Sequence, residues 1–462
     1  MGTRSLPGFF LSVALLAACS SDAAAPPTTV APTLPRTTIT LPPPTTAPAP
    51  TGEPTPTAAT TSPPPTVPAG PWAVDTTQCP DPAAATVPIN GTLTVAMAAP
   101  LTGGVPAAQW KPVIDGFRTA IDHANLVRAL GDVHVELKVV DDRLDPDRTE
   151  DALQTAIDGG AKVVAGVVGT DSNLAARFTL NEQCIPQLLG FSPSAALGDV
   201  AEYPWTIGFL PPVADEVDVL MSLVRGTLPD GGTLGVYAAP GALGDEYVAA
   251  TTDVPGLTTV TTQRATTASG ATSTAAIDAL AAARPDVVLA APEGIDCTLF
   301  LRGLAAARTS APGWRPLVLL AAGCALPAAM QLVGPSADGV YSTAFIAGTD
   351  SNVDGMTDYL TWMQGAGLSA EAPSAALGWS AGNSLVAILQ QAQQSSSGLT
   401  QASIIDAARS IDEPLSLGRP DVVLRTDGAT DPWPVQSMQV VRWDAAAQAF
   451  DAVGPVNSSS ES

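Results

Sequence analysis

AKVVAGVVGTDSNLAARFTLNEQCIPQLLGF, residues 161–191, contains the unit from which the rest of the chain can be read. Residues 161–168 form a continuous apolar run with no polar alternation, as in a strand covered on both faces. The segment DSNLAARFTLNE has helical spacing, with Asp171 or Ser172 as its cap. IPQLLGF, residues 185–191, is the next strand. Apolar strands separated by helices of about ten residues or more imply a parallel sheet with helices on both faces.

The rhythm extends in both directions. Upstream, residues 92–98 read as a strand ending at the turn 100–104, followed by a helix to about Val127 and a strand over 135–140. A further helix starts behind Asp145, Pro146 and Asp147, where an acidic cap and first turn suit the helix dipole. Downstream, strands are expected at 233–239, 257–262, 285–291, 315–322 and 339–345, each but 257–262 with a helical pattern behind it. These units overfill one doubly wound sheet. Two α/β lobes fit better, with a break near 209–216, where Pro211 and Pro212 interrupt the pattern. Ligands of such sheets bind beyond the carboxyl ends of the strands, so the loops 101–109, 169–173, 192–196, 239–247, 291–296 and 322–326 would meet in one cleft.

The 462 residues are not all core. Arg4, a short apolar stretch over 6–18 and the small residues Ala17 and Ala18 have the layout of a signal peptide over 1–18. Leu16-Ala17-Ala18-Cys19 also looks like the bacterial lipobox, in which the cysteine is acylated and becomes the first mature residue. The alternative is an ordinary signal peptide cut nearby. Residues 19–75 read as an extended tether, whose stretch from Ser20 to Pro71, almost all Pro, Thr, Ala and Ser, would reach up to roughly 150 Å at about 3.1 Å per residue. A formal net charge of −24 leaves no basic stripe for nucleic acid and no attraction to anionic lipid. No apolar run after residue 75 is long enough to span a membrane, so any membrane contact falls to Cys19.

Five cysteines less Cys19 leave Cys79, Cys184, Cys297 and Cys324, an even set that in an exported protein suggests two disulfides. Spacing alone does not choose among the three pairings. Cys297 with Cys324 is preferred because it joins the start of a helix to the end of the next strand, with Cys79 and Cys184 as the other pair.

Seven segments in order, VAMAAPLTGG, DGFRTAIDHAN, VVDDRLDP, AGVVGTDSN, IPQLLGFSPSAAL, RPDVVLAA and ALGWSAGNSLVAILQQA, resemble the type I periplasmic-binding-fold proteins of ABC transporters, in the branched-chain amino-acid-binding branch. The resemblance runs from about residue 90 to 445. It implies two Rossmann-like lobes with parallel sheets joined by a hinge, within a domain over 76–455. Lobe 1 would take about 88–211 and 344–420, and lobe 2 about 212–343 with the C-terminal strands 421–448. It also implies a monomeric, lipid-anchored receptor on the extracytoplasmic face of a bacterial cell membrane. Such a receptor binds a small-molecule ligand, needs no cofactor or metal, and serves an ABC permease with cytoplasmic ATPases. Amino acids, amides and organic acids are the implied solutes. By this resemblance Thr170 and Ser172 would grip a ligand carboxylate, and Thr102, Ser192, Ser194 and Ala195 would lie in the neighbouring loops. Ala196 stands where the family has an amine-binding threonine, Leu243 where it has an aromatic, and Glu293 where an aromatic is frequent. Asp245, Tyr247 and Glu293 are then the candidates for a rearranged cleft, since a desolvated ammonium needs a carboxylate or several acceptors. Trp110 and Trp379 would supply either an apolar wall or core.

Other motifs do not hold. GWSAG at 378–382 matches a nucleophile elbow, yet the two histidines, His123 and His134, lie far upstream, and the segment reads as helix, where small residues serve close packing. DSNVDG at 350–355 matches half a calcium loop but has Thr361 at the twelfth position. A receptor of the same fold feeding a signalling partner is the second reading. An exported enzyme is the third, without a nucleophile, base and orienter to support it.

Overall fold

The apolar runs of the first half form a five-stranded, all-parallel sheet: β1 (Thr92–Ala99), β2 (His134–Asp141), β3 (Val163–Ala165), β4 (Gln187–Gly190) and β5 (Thr206–Gly208), in the order β2-β1-β3-β4-β5. The computed structural model describes residues 72–265, 274–370 and 372–458. Both faces of this sheet are covered: Leu93, Val95 and Met97 enter one core, and Ala96 and Ala98 enter another. That is why β1 reads as uninterrupted apolar sequence. The helices α1 (Val105–Leu126), α2 (Pro146–Asp158) and α3 (Thr170–Glu182) connect successive strands.

The chain then crosses to a seven-stranded sheet. α4 (Val213–Thr227) leads to β6 (Gly232–Ala238), α5 (Ala242–Ala250), β7 (Leu257–Arg264), α6 (Thr274–Ala283), β8 (Val287–Ala291), α7 (Asp296–Ser310), β9 (Leu317–Leu320), α8 (Pro327–Val333) and β10 (Tyr341–Ala344). It returns to the first lobe through α9 (Met356–Gly365), α10 (Pro373–Gln393), α11 (Gln401–Ala408) and a small antiparallel pair, β11 (Asp412–Pro414) and β12 (Val423–Arg425). A last crossing delivers β13 (Ser437–Asp444) and β14 (Ala449–Ser458), antiparallel strands on the edge of the second sheet, whose order is β14-β13-β10-β9-β8-β6-β7. The two-lobed α/β architecture is that of a type I periplasmic-binding fold.

Several expectations shift in detail. The run 161–168 is strand only at β3, because Gly166 adopts φ 69 and breaks the extended backbone; a Cβ there would fall 2.4 Å from Met97 Cε. A helix does follow β7: α6 is alanine-rich, and Ile277 and Leu280 are its only buried residues, so its stripe is faint in the sequence. Asp171 and Ser172 lie inside α3, and Gly169, at φ 88, is the cap. Asp145 caps α2 in position only, since it makes no side-chain cap bond and its carboxylate meets Arg148 at 3.3 Å. Within 421–448, Val422 and Leu424 pack in the first lobe's core, and the second sheet begins only at β13. The folded part also starts before residue 76. Trp72 packs on the first lobe beneath Arg409, and Val74 N donates to Asp406 at 2.8 Å.

The first lobe is closed by α10 lying against α1. A Cβ on Gly378 would fall 1.9 Å from Val113 O, and one on Gly116 would fall 2.0 Å from Ala375 O. GWSAG is therefore the seam of a backbone-to-backbone helix contact, and Ser380 is buried there, donating to Ser416 O at 2.5 Å. His123 is stacked between Trp362 and Trp379 on the same layer, and His134 opens β2. Trp379 is thus core. The disulfides Cys79–Cys184 and Cys297–Cys324 form with Cα separations of 5.6 and 5.4 Å. The first closes 105 residues of chain, a constraint on the unfolded state of about 4–5 kcal/mol by chain entropy.

Two glycine-to-alanine exchanges inside helices should act with opposite signs. We expect Gly378→Ala to lose about 3 kcal/mol through overpacking at the seam. Gly226→Ala, on an open stretch of α4, should gain about 0.5 kcal/mol through helix propensity. Urea unfolding midpoints measure both, and a neutral Gly378→Ala would contradict the seam.

Candidate ligand cleft

The carboxyl ends of both sheets open onto one cavity of about 620 Å³. From the first lobe it is lined by Trp110 of α1, Leu144 behind β2, Gly169 and Thr170 at the start of α3, and Phe191 behind β4. From the second lobe come Leu243 and Tyr247 of α5, residues 291–296 behind β8, and residues 321–326 behind β9, apart from Cys324. Phe345 and Met438 line it from the crossings. Ligand sites of parallel α/β sheets lie at this end of the strands because the loops there diverge and leave a crevice. The cavity's size is in the range that encloses an organic ligand.

Glu216 forms part of the floor and was not singled out by the sequence. It sits in the first turn of α4 on the stripe of Val213, Val217 and Leu220, so it is carried inward with them and is 3 % exposed. Tyr247 Oη donates to it at 2.6 Å, Ala322 N at 2.6 Å and Thr343 Oγ1 at 3.2 Å. One carboxyl thereby ties α4, α5, the loop behind β9 and β10 together beneath the cleft. Burial pushes this carboxyl above the usual 4.5 despite the three donors. Burial first, and the Glu216 charge second, push the Tyr247 phenol well above its usual value, so it stays a donor.

A second acid crosses the cleft. Glu246 of α5 accepts from Ser194 Oγ at 2.5 Å and from Ala195 N at 2.8 Å, joining the second lobe to the loop behind β4 of the first. Glu293 lines the cavity and stays open to its solvent. Crowding by the walls, and then the charge of Asp171 on the opposite lobe, push its carboxyl up.

Of the expected ligand residues, Trp110, Thr170, Tyr247 and Glu293 line the cavity, while Thr102, Ser172, Ser192, Ser194, Ala195 and Asp245 do not. Each of these six is held by partners within the protein. Thr102 Oγ1 donates to Asp141 at 2.5 Å and accepts from Arg143 at 3.0 Å. Ser172 belongs to a buried network, receiving from Thr149 at 2.8 Å beside Asp142. Ser192 Oγ meets Thr170 Oγ1 at 2.9 Å and accepts from Ser194 N at 3.2 Å. Ser194 and Ala195 face Glu246, and Asp245 is paired with Arg264. No group of three or more His, Cys, Asp or Glu among the described residues is placed to hold a metal ion.

This arrangement is that of a two-lobed binding protein. The periplasmic binding protein family model matches residues 92–448, and the chain belongs to that family. No curated protein sequence matches it. Solved structures share the fold. A branched chain amino acid ABC transporter protein from Thermus thermophilus with bound valine has a TM-score of 0.69 at 16% identity, covering 80% of this chain and 97% of its own. A possible leucine/isoleucine/valine-binding protein from Rhodopirellula baltica SH 1 has 0.63 at 19%, covering 80% and 98%. A leucine binding protein from Thermotoga maritima MSB8 has 0.63 at 17%, covering 80% and 99%. The family and these neighbours are binding proteins rather than enzymes.

Two substitutions probe the acids that shape the cleft. Glu246→Ala should let the lobes part, raising the radius of gyration of the ligand-free protein in small-angle scattering. An unchanged curve would mean that the contact does not hold them. For Glu216, the folded state binds the proton more tightly than the unfolded chain does. The stability this adds is therefore fully present below pH 4.5 and is lost as pH rises through the folded-state value. Comparison of urea midpoints from pH 4.5 to 7 should show a smaller loss in Glu216→Gln than in the natural protein.

Proposed function

We propose that this protein is an extracytoplasmic receptor that captures a small molecule between its lobes and delivers it to an ABC permease, without chemical change to the solute. The observation that carries this reading is the cavity itself, walled by both lobes at the carboxyl ends of their strands and crossed by the Glu246 contact. A ligand touching both walls favours the closed pair over the open one by its differential contacts, and a transporter can read that difference. Among the described residues, Thr170, Ser192 and Ser194 near the cleft are engaged in hydrogen bonds within the protein, and both histidines lie elsewhere.

The sequence at the N terminus completes the proposal. Acylation at Cys19 after removal of residues 1–18 would fix the chain to the outer face of the membrane. The proline- and threonine-rich segment would hold the binding domain away from it. Among the described residues, no helix is long and apolar enough to cross a membrane. Mass spectrometry of the protein purified from its native membrane should find a diacylated or triacylated N-terminal Cys19 and a co-purified small molecule. Cys19→Ala should move the protein to the soluble fraction. An unacylated N terminus downstream of Cys19 in membrane-derived protein would sink the anchor, and turnover of the bound solute would sink the binding role.

A further inference from the structure

The electrostatic make-up of the cavity is lopsided. None of the described residues that line it is Lys, Arg or His, and three are acids: Glu216, Glu293 and Asp296. Glu216 is engaged by its three donors below the floor. Glu293 differs, since no donor among the described residues reaches its carboxylate and it stands open to the cavity. The facing wall is aromatic and aliphatic, with Trp110, Leu144, Phe191, Leu210 and Phe345. Trp110 and Phe191 lie 6.0 Å apart in a tilted pair.

The anion-receiving groups of the loop behind β4 are already taken. Ser194 Oγ and Ala195 N hold the protein's own Glu246 carboxylate, and Ser192 Oγ is engaged with Thr170. The first turn of α3, which borders the cavity, carries Asp171, so its dipole already has a negative partner. A carboxylate entering here would lose its hydration among like charges, whereas a cation would find both a counter-charge and aromatic faces.

We propose that the cleft selects an apolar amine, a hydrophobic body with a protonated nitrogen and no carboxylate, with Glu293 as its counter-charge. The body lies against the first lobe's aromatic wall and the nitrogen points to the second lobe. This rests on the solute-binding reading above and makes it narrower.

Three matched probes test it by titration calorimetry on the full chain: phenethylamine, phenylalanine and 3-phenylpropionate. Phenethylamine should bind about tenfold or more tightly than phenylalanine, and phenylpropionate should give no heat. Glu293→Gln should weaken phenethylamine by about tenfold or more, the loss of one charge-assisted contact, without lowering the melting temperature of the ligand-free protein. Tighter binding of phenylalanine or phenylpropionate, or an unaltered affinity in Glu293→Gln, would overturn the proposal, as would failure of all three probes to bind. In that last case native mass spectrometry separates the two levels. A co-purified solute of another class defeats the amine alone. An empty cleft, with no binding from a panel of amino acids, amides and organic acids, defeats the solute-binding role as well.

Discussion

The contact of α1 with α10 is the constraint on which the remaining architecture depends. Two helices whose backbones touch at Gly116 and Gly378 leave no room for side chains between them, so the pair forms a rigid slab over one face of the first sheet. These helices are separated in sequence by five of the seven strands of the second sheet, β6 to β10. The first lobe is therefore incomplete until the chain has gone out through α4, built most of the second sheet and come back after β10. The crossings that result are what place two sets of strand ends opposite each other. A cleft between lobes follows from the order in which the chain must be laid down.

Much of this was legible because strands covered on both faces cannot hide. Ala96 and Ala98 point to one core and Val95 and Met97 to the other, so the apolar run shows directly in sequence. The disulfide pairs could be chosen once helices and strands were placed, since Cys297 begins α7 and Cys324 follows β9. β5 was missed because three residues carry too little pattern, and α6 because alanine hardly contrasts with itself.

The cleft was less legible, for a different physical reason. A hydroxyl offers the same donor to a ligand or to a neighbour, and the neighbour is fixed only by tertiary structure. Thr102 finds Asp141 39 residues away, and Ser194 finds Glu246 52 residues away on the other lobe. Loop position alone could not show that these groups were engaged. Glu216 did leave a trace: an acid on the apolar stripe of α4 is misplaced for a surface helix, and that misplacement signals a buried partner. Of the positions where the sequence departs from the pattern it resembles, Leu243 and Glu293 line the cleft and Ala196 does not, and no Lys, Arg or His is among the described lining residues.

The docking of Trp72 to Cys79 on the first lobe has a mechanical consequence. Cys79 is bonded to Cys184, which precedes β4 and so lies at the end of that sheet opposite the cleft. Any force applied at residue 72 would be received by Trp72 and Val74 and then by a covalent bond into the foot of the first lobe. The second lobe stands outside this load path. A force applied at Trp72 would therefore load the first lobe before the second.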